Sequence, residues 1–218
     1  SLPCYNYCRE LTSENINSGL SYDNNIIIFR REELLKVLIH ELIHILDIDV
    51  KYENNIEKQQ ILSYLCIEEL DINESYVETW ANIINIYLVL YEENKKNISL
   101  DKYIDYFLKE KRFNLKQCCK IMIYYNIYDL NGICKNNIKD KINIFSYLIL
   151  KTYNLIYINI FLKKYMDEIN IIKLKYNYVN YIKYLYNIMK KKNNIFNKTM
   201  KEIKKNKYDL SMKMSIII

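Results

Sequence analysis

At 218 residues, half of them hydrophobic, the chain is long enough to bury a substantial core, as one domain or as one with an appendage. Its formal net charge of +6 conceals a split: residues 1–100 carry 8 Lys and Arg against 17 Asp and Glu, whereas residues 101–218 carry 24 against 9. With only 2 Gly and 1 Pro, few breakers interrupt the long apolar runs, which argues for a mostly helical protein.

Several classes are excluded by the same reading. The 6 cysteines, Cys4, Cys8, Cys66, Cys118, Cys119 and Cys134, form no CxxC pair and no regular framework. Buried free thiols are expected instead, which suits a reducing, intracellular compartment. The most apolar window, residues 142–162, is interrupted by Lys151 and by Asn residues, as in a buried helix rather than a transmembrane segment. No signal peptide is visible in a chain that starts at Ser1 rather than Met. The lysines of the basic half are dispersed among Asn and Ile, so a solvated surface is expected there and nucleic-acid binding is not.

Taken in order, residues 1–25 are polar and read as mostly irregular, with Gly19 marking a turn. Residues 24–29 contain three isoleucines and Phe29, a short strand by propensity. Its free edge either pairs with an extended peptide or closes within a small sheet. Arg30-Arg31-Glu32-Glu33 then opens a long helix, with both Glu suited to the positive end of its dipole. That helix contains His40-Glu41-Leu42-Ile43-His44. Residues four apart lie one above the other, so His40 and His44 can aim two imidazoles at one point. Glu41, about 100° round the helix from His40, can reach a water on a metal held by the pair. Two neutral nitrogen ligands beside a base that is not a ligand are what a zinc hydrolase needs.

The chain has only 2 histidines, and both are in this motif. Chance placement would produce the pattern on the order of once in a thousand chains. The helix is also apolar almost all round, through Val37, Leu38, Ile39, Leu42, Ile43, Ile45 and Leu46, so burial is expected. Three polar side chains buried there are costly unless a partner such as a cation satisfies them.

The motif helix should end near residues 46–49. A loop through Asn54 and Asn55 leads to a helix over 56–69, and Asp71 or Asn73 is suited to cap the next, over 74–91. On that helix Glu74 and Glu78 share a face with Val77, Trp80, Ala81 and Ile84. Two like charges so stacked repel unless a cationic group lies between them, the alternative being a solvated acidic edge. Helices over 99–112 (Ser99 as N-cap, Asp101 in the first turn), 115–128, 139–153 and 155–166 follow, with Gly132 marking a break. A further helix over 173–192 carries tyrosines on one side. The chain thus divides into 1–98, holding the motif, 99–190, completing a cleft, and a basic stretch 191–218, Lys- and Asn-rich enough to be a loose tail.

His40-Glu41-Leu42-Ile43-His44, followed after a gap by Asn73-Glu74-x-x-x-Glu78, resembles the gluzincin group of zinc metallopeptidases over about residues 24–90. The resemblance implies a mainly α fold with a small β element, a zincin-like helical core preceded by a short edge strand. It implies Zn²⁺ on His40, His44 and Glu74, with Glu78 hydrogen-bonded to His40 and orienting it. The converse, Glu78 as ligand, stays open because both carboxylates project from one face. Hydrolysis of a peptide or protein substrate is implied, Glu41 serving as general base toward a metal-activated water.

The oxyanion needs a further donor, often a downstream Tyr or His in related enzymes, and no third His exists. Tyr147 is the candidate. It stands in Asn143-Ile144-Phe145-Ser146-Tyr147, which with Ile28-Phe29-Arg30-Arg31-Glu32-Glu33 and Glu78-Thr79-Trp80-Ala81 is similar to uncharacterised HExxH proteins of large DNA viruses. The metzincin pattern is not met, since Asp47 stands where that group has Gly and Val50 where its third ligand would fall. A second expectation is a catalytically inactive helical interaction protein with a structural zinc site. A fourth protein ligand such as Asp47, Asp49 or Cys66 would close that site. Substrate specificity and oligomeric state are not legible in the sequence.

Overall fold

The computed structural model describes residues 18–23, 25–49, 56–65, 71–94, 97–127, 144–166, 178–191, 194–205, 213 and 215–217. Strand β1 (Gly19–Tyr22) pairs antiparallel with β2 (Asn25–Ile28), in a register running from Gly19↔Ile28 to Tyr22↔Asn25. Asp23 turns the chain at a φ of 50°, the left-handed conformation that a two-residue hairpin loop requires and that Asp tolerates. A short 3₁₀ turn (Arg31–Glu33) enters α1 (Leu34–Ile45), which carries the histidine motif. Helices α2 (Ile56–Leu65), α3 (Asn73–Asn94) and α4 (Leu100–Tyr124) come next. A π-helical segment (Phe145–Leu150) runs directly into α5 (Lys151–Ile156), followed by α6 (Ile158–Tyr165), α7 (Tyr178–Met189) and α8 (Ile195–Lys205). The fold is mainly helical, as composition and periodicity predict, with one small two-stranded sheet of which the sequence showed only the second strand.

Helix α3 is the hub. It packs against α1, α4, the π segment and α5, and Tyr76, Val77, Trp80 and Ala81 on it are fully buried. Around Tyr76 gather Phe161 and Tyr181, with ring centroids 5.8 and 5.4 Å away. Truncating a ring as enclosed as Trp80 costs about 3–5 kcal/mol. A helix covered on so many sides must also satisfy its buried polar groups. Thr79 Oγ1 donates to the Ser75 carbonyl (2.6 Å) and accepts from Asn154 Nδ2 (2.9 Å). The Asp71 carboxylate accepts at 3.0 Å from the amide of Asn73, the first residue of α3, an Asx turn leading into the helix rather than either of the expected caps.

Several expectations are corrected. Gly19 lies in a strand, not a turn, so part of the supposedly irregular N-terminal stretch is ordered β structure. Glu33 does stand at the N-terminal end of α1, where it is buried and, in place of a cap bond, accepts from Ser18 Oγ (2.9 Å) and from the Ser215 amide (3.3 Å). Leu34, Leu42 and Leu46 remain exposed, so α1 is buried on one side and not all round.

The helices expected over 99–112 and 115–128 are a single helix, α4. Asn114 donates to the Glu110 carbonyl and carboxylate (2.9 and 2.8 Å), so its amide needs no break in the helix. Ser99 caps α4 by accepting from the Lys102 amide at 3.2 Å, with Asp101 in the first turn, as read from the sequence. The helix expected over 155–166 is interrupted at Tyr157, between α5 and α6.

The supposed loose tail holds α8, which packs against α4 and buries Phe196, Met200 and Ile203. Beyond it Ser215 Oγ and the Ile216 amide donate to Glu110 Oε2, each at 3.0 Å. Cys118 and Cys119 are free and buried. Cys4, Cys8, Cys66 and Cys134, Val50, Gly132 and the loop at Asn54 and Asn55 lie outside the described residues. Among the described residues no helix is long and apolar enough to cross a membrane.

Candidate metal centre

Helix α1 presents Lys36, His40 and His44 at four-residue spacing, and α3 presents Glu74 and Glu78 in the same way. The two helices pack so that these side chains form an antiparallel ladder: Lys36 with Glu78, His40 with both glutamates, His44 with Glu74. At its centre His40 Nε2 and His44 Nε2 lie 3.1 Å apart. Glu74 Oε2 lies 3.3 Å from the first and 3.6 Å from the second. The ligand atoms of these three residues fall within 4.8 Å of one another.

The far side of each ring is held by another carboxylate. Glu78 Oε1 lies 2.9 Å from His40 Nδ1. Asp49 Oδ2 lies 2.7 Å from His44 Nδ1 and accepts from Asn73 Nδ2 at 2.5 Å. Asp49 gets there because α1 ends in a Schellman turn. Asp47 takes a φ of 51°, its amide donates to the His44 carbonyl (3.1 Å), and the Ile48 amide donates to the Ile43 carbonyl (3.2 Å). The chain then doubles back, and Asp49 meets the ring of the last turn.

With each Nδ1 facing a carboxylate, each Nε2 of a neutral ring is left with its lone pair. Two nitrogen lone pairs and a carboxylate oxygen therefore converge, and the buried Glu74 Oε2 accepts no hydrogen bond. Such a set repels itself unless a proton or a cation sits within it. Protonation equilibria report the same demand. Burial opposes charge on His44, but the hydrogen bond to Asp49 and the charges of Asp49 and Glu74 beside it outweigh it, raising its pKa to about 10. His40 is raised likewise by Glu74 and Glu78 against the cost of burial. Burial alone would raise Glu74, yet the two imidazoles hold it far below the usual carboxylate range.

Two imidazole nitrogens and one carboxylate oxygen suit a divalent zinc ion, with one position left for water or substrate. No other described group could hold an ion in this way. Of the two glutamates, Glu74 points at the convergence; Glu78 lies behind His40, bonded also to Lys36 and to Lys151 Nζ, the latter at 3.0 Å. Nor do the described residues supply a fourth ligand. Asp49 is engaged with His44 Nδ1, Asp47 is exposed at the helix end, and Cys66 lies outside them.

Family models, curated proteins and solved structures give no match to this chain.

Glu41 is 6% exposed and forms no hydrogen bond or ion pair among the described residues. β1 passes close beside it: a Cβ on Gly19 would stand 3.4 Å from Glu41 Oε1 and only 2.6 Å from Val37 Cγ1. Tyr147 comes from the π segment, a helical form frequent at functional sites. Its ring centroid is 6.1 Å from that of His40. Burial, then the charges of Glu74, Glu78 and Glu41, push its phenol far above the ordinary value. It is therefore a permanent donor beside the carboxylates.

The geometry thus brings His40, His44, Glu74, Glu78 and Tyr147 together, with Glu41 buried next to His40 in the chain and its carboxylate beside β1. Sequence reasoning missed Lys36 and Lys151, and named Asp49 only as a closing ligand, whereas it lies against His44 Nδ1. Lys36 could have been found, since it lies four residues before His40 on the motif face. Asp49 and Lys151 had no comparable signal.

Proposed function

We propose that the chain is a zinc-dependent metallopeptidase that hydrolyses peptide bonds, with His40, His44 and Glu74 holding the ion and Glu41 acting as general base. The observation that carries this reading is the convergence of His40 Nε2, His44 Nε2 and Glu74 Oε2, three atoms of the type zinc takes as ligands. Zinc bound there would polarise a scissile carbonyl and lower the pKa of water.

The chain's own groups supply the rest. Glu41, next to a ligand and free of competing donors among the described residues, is available to take a proton on its carboxylate and return it to the leaving nitrogen. Asp49 is hydrogen-bonded to His44 Nδ1 and the Glu78 carboxylate lies 2.9 Å from His40 Nδ1, an arrangement that favours both Nε2 atoms turned inward. Tyr147 keeps its proton and can donate to developing negative charge on a substrate oxygen. β1 runs beside Glu41, and within the described residues its only strand partner is β2, so its outer edge offers backbone groups to an extended peptide.

The test is Glu41→Gln. Zinc should remain bound while peptide hydrolysis falls by about 10²–10⁴-fold, the size of a lost general base. Undiminished turnover removes Glu41 from the role. A wild-type protein that binds zinc yet hydrolyses no peptide in a mixed library would favour the structural-zinc interaction protein, although that reading lacks its closing fourth ligand among the described residues.

A further inference from the structure

Behind His40, α1 and α5 bury two ammonium groups against one carboxylate. The side chains of Lys36 and Lys151 are 3% and 0% exposed, and that of Glu78 is 3% exposed. Lys36 Nζ donates to Glu78 Oε1, Lys151 Nζ donates to Oε2 at 3.0 Å, and His40 Nδ1 lies 2.9 Å from Oε1. Two ammonium donors thus meet the two oxygens, one on each, and the ring of His40 lies against the first. Ammonium groups are costly to bury, and one would suffice to neutralise Glu78, while Lys151 also feels the charge of the buried Glu110. The matching carboxylate on His44 does with less, since Asp49 is steadied by the neutral amide of Asn73.

What the second ammonium adds is geometric. Held at Oε1 alone, a carboxylate can swing about that contact; held at both oxygens, it presents a fixed edge to the ring. The two lysines also come from different parts of the chain, one turn before His40 and immediately after the π segment that carries Tyr147. We infer that Lys36 and Lys151 are positioning residues of the metal centre, clamping Glu78 from two helices so that it fixes the ring of His40. The inference rests on the zinc reading above.

Charge and positioning predict opposite signs here, which makes the clamp testable. By charge alone, removing a cation near a bound metal ion tightens metal binding. If the lysines act by positioning, removal weakens it. The experiment measures the zinc dissociation constant by chelator competition, and the visible spectrum with Co²⁺, for the wild-type chain, Lys151→Met, Glu78→Gln and the double variant. Lys151→Met should bind zinc about 10–100-fold more weakly, as with other outer-sphere partners, and shift the cobalt bands. In the Glu78→Gln background the same substitution should add little, because the group it acts through is gone.

Unchanged or tighter zinc binding by Lys151→Met, or an equal loss in both backgrounds, overturns the inference. Far-UV circular dichroism checks that each variant folds. Should Lys151→Met fail to fold, Lys36→Met carries the same prediction and the same reversal. A wild-type chain that binds neither zinc nor cobalt overturns the zinc reading itself, and the clamp with it.

Discussion

His44 stands between Asp49 and Glu74, and without a metal it keeps a proton that those carboxylates favour. Its pKa is raised from 6.5 to about 10. A ring raised in this way contributes stability that is fully present below about pH 6.5 and is lost as pH rises through about 10. Zinc needs the same nitrogen without its proton, so metal and proton compete for one position. Heating the chain with excess chelator or with zinc, at a series of pH values, should show the metal-free midpoint falling as pH rises from 6.5 towards 10. Over the same window the gap between zinc-loaded and metal-free midpoints should widen. A constant gap would mean that zinc is not displacing the imidazole proton.

At the scale of elements, the site depends on how closely β1 lies against α1. Gly19 allows that approach: a Cβ there would stand 2.6 Å from Val37 Cγ1 and 2.9 Å from the Ile27 carbonyl oxygen. Gly19→Ala should therefore lift the hairpin from α1 and cost about 1–3 kcal/mol in urea unfolding, the usual cost of overpacking. Val37→Ala in the same chain should recover part of that loss by making room. A Gly19→Ala chain as stable as wild type would contradict the close packing.

Much of α1 and α3 was legible in the sequence, because ligand spacing and helix period coincide at four residues. Which glutamate faces the ions' position was not legible, since both project from one face; the antiparallel pairing of α1 and α3 decides it, placing Glu78 level with Lys36. β1 was hidden in a polar stretch, although the Asp23-Asn24 pair before the isoleucines is a hairpin-turn signal. The union of 99–112 and 115–128 turns on Asn114, whose side chain bonds back to Glu110 instead of breaking the helix. In α8 the apolar positions Phe196, Met200 and Ile203 keep helical spacing, but the intervening lysines and asparagines made the stretch look unstructured.

At the scale of the whole molecule, the candidate centre is assembled from distant parts of the chain. Gly19 and residues 36–49 line one side, Glu74 and Glu78 come from the hub helix, and Tyr147 and Lys151 close the back. The entry to α1 is tied to the C-terminal segment, since Glu33 accepts from the Ser215 amide, and Ser215 in turn donates to Glu110 of α4. Long-range ties of this kind leave no periodic mark, which is why the basic stretch read as a tail. They also mean that the donors are held together by the fold. Metal binding should therefore add to stability without being required for folding.

The most direct measurement is zinc content and affinity of the purified chain beside Glu74→Gln and His44→Ala. The account predicts one tightly held zinc ion per wild-type chain, a higher thermal midpoint with the ion bound, and loss of both in either variant. A folded wild-type chain that takes up no zinc, or variants that bind it as well as wild type, would contradict it.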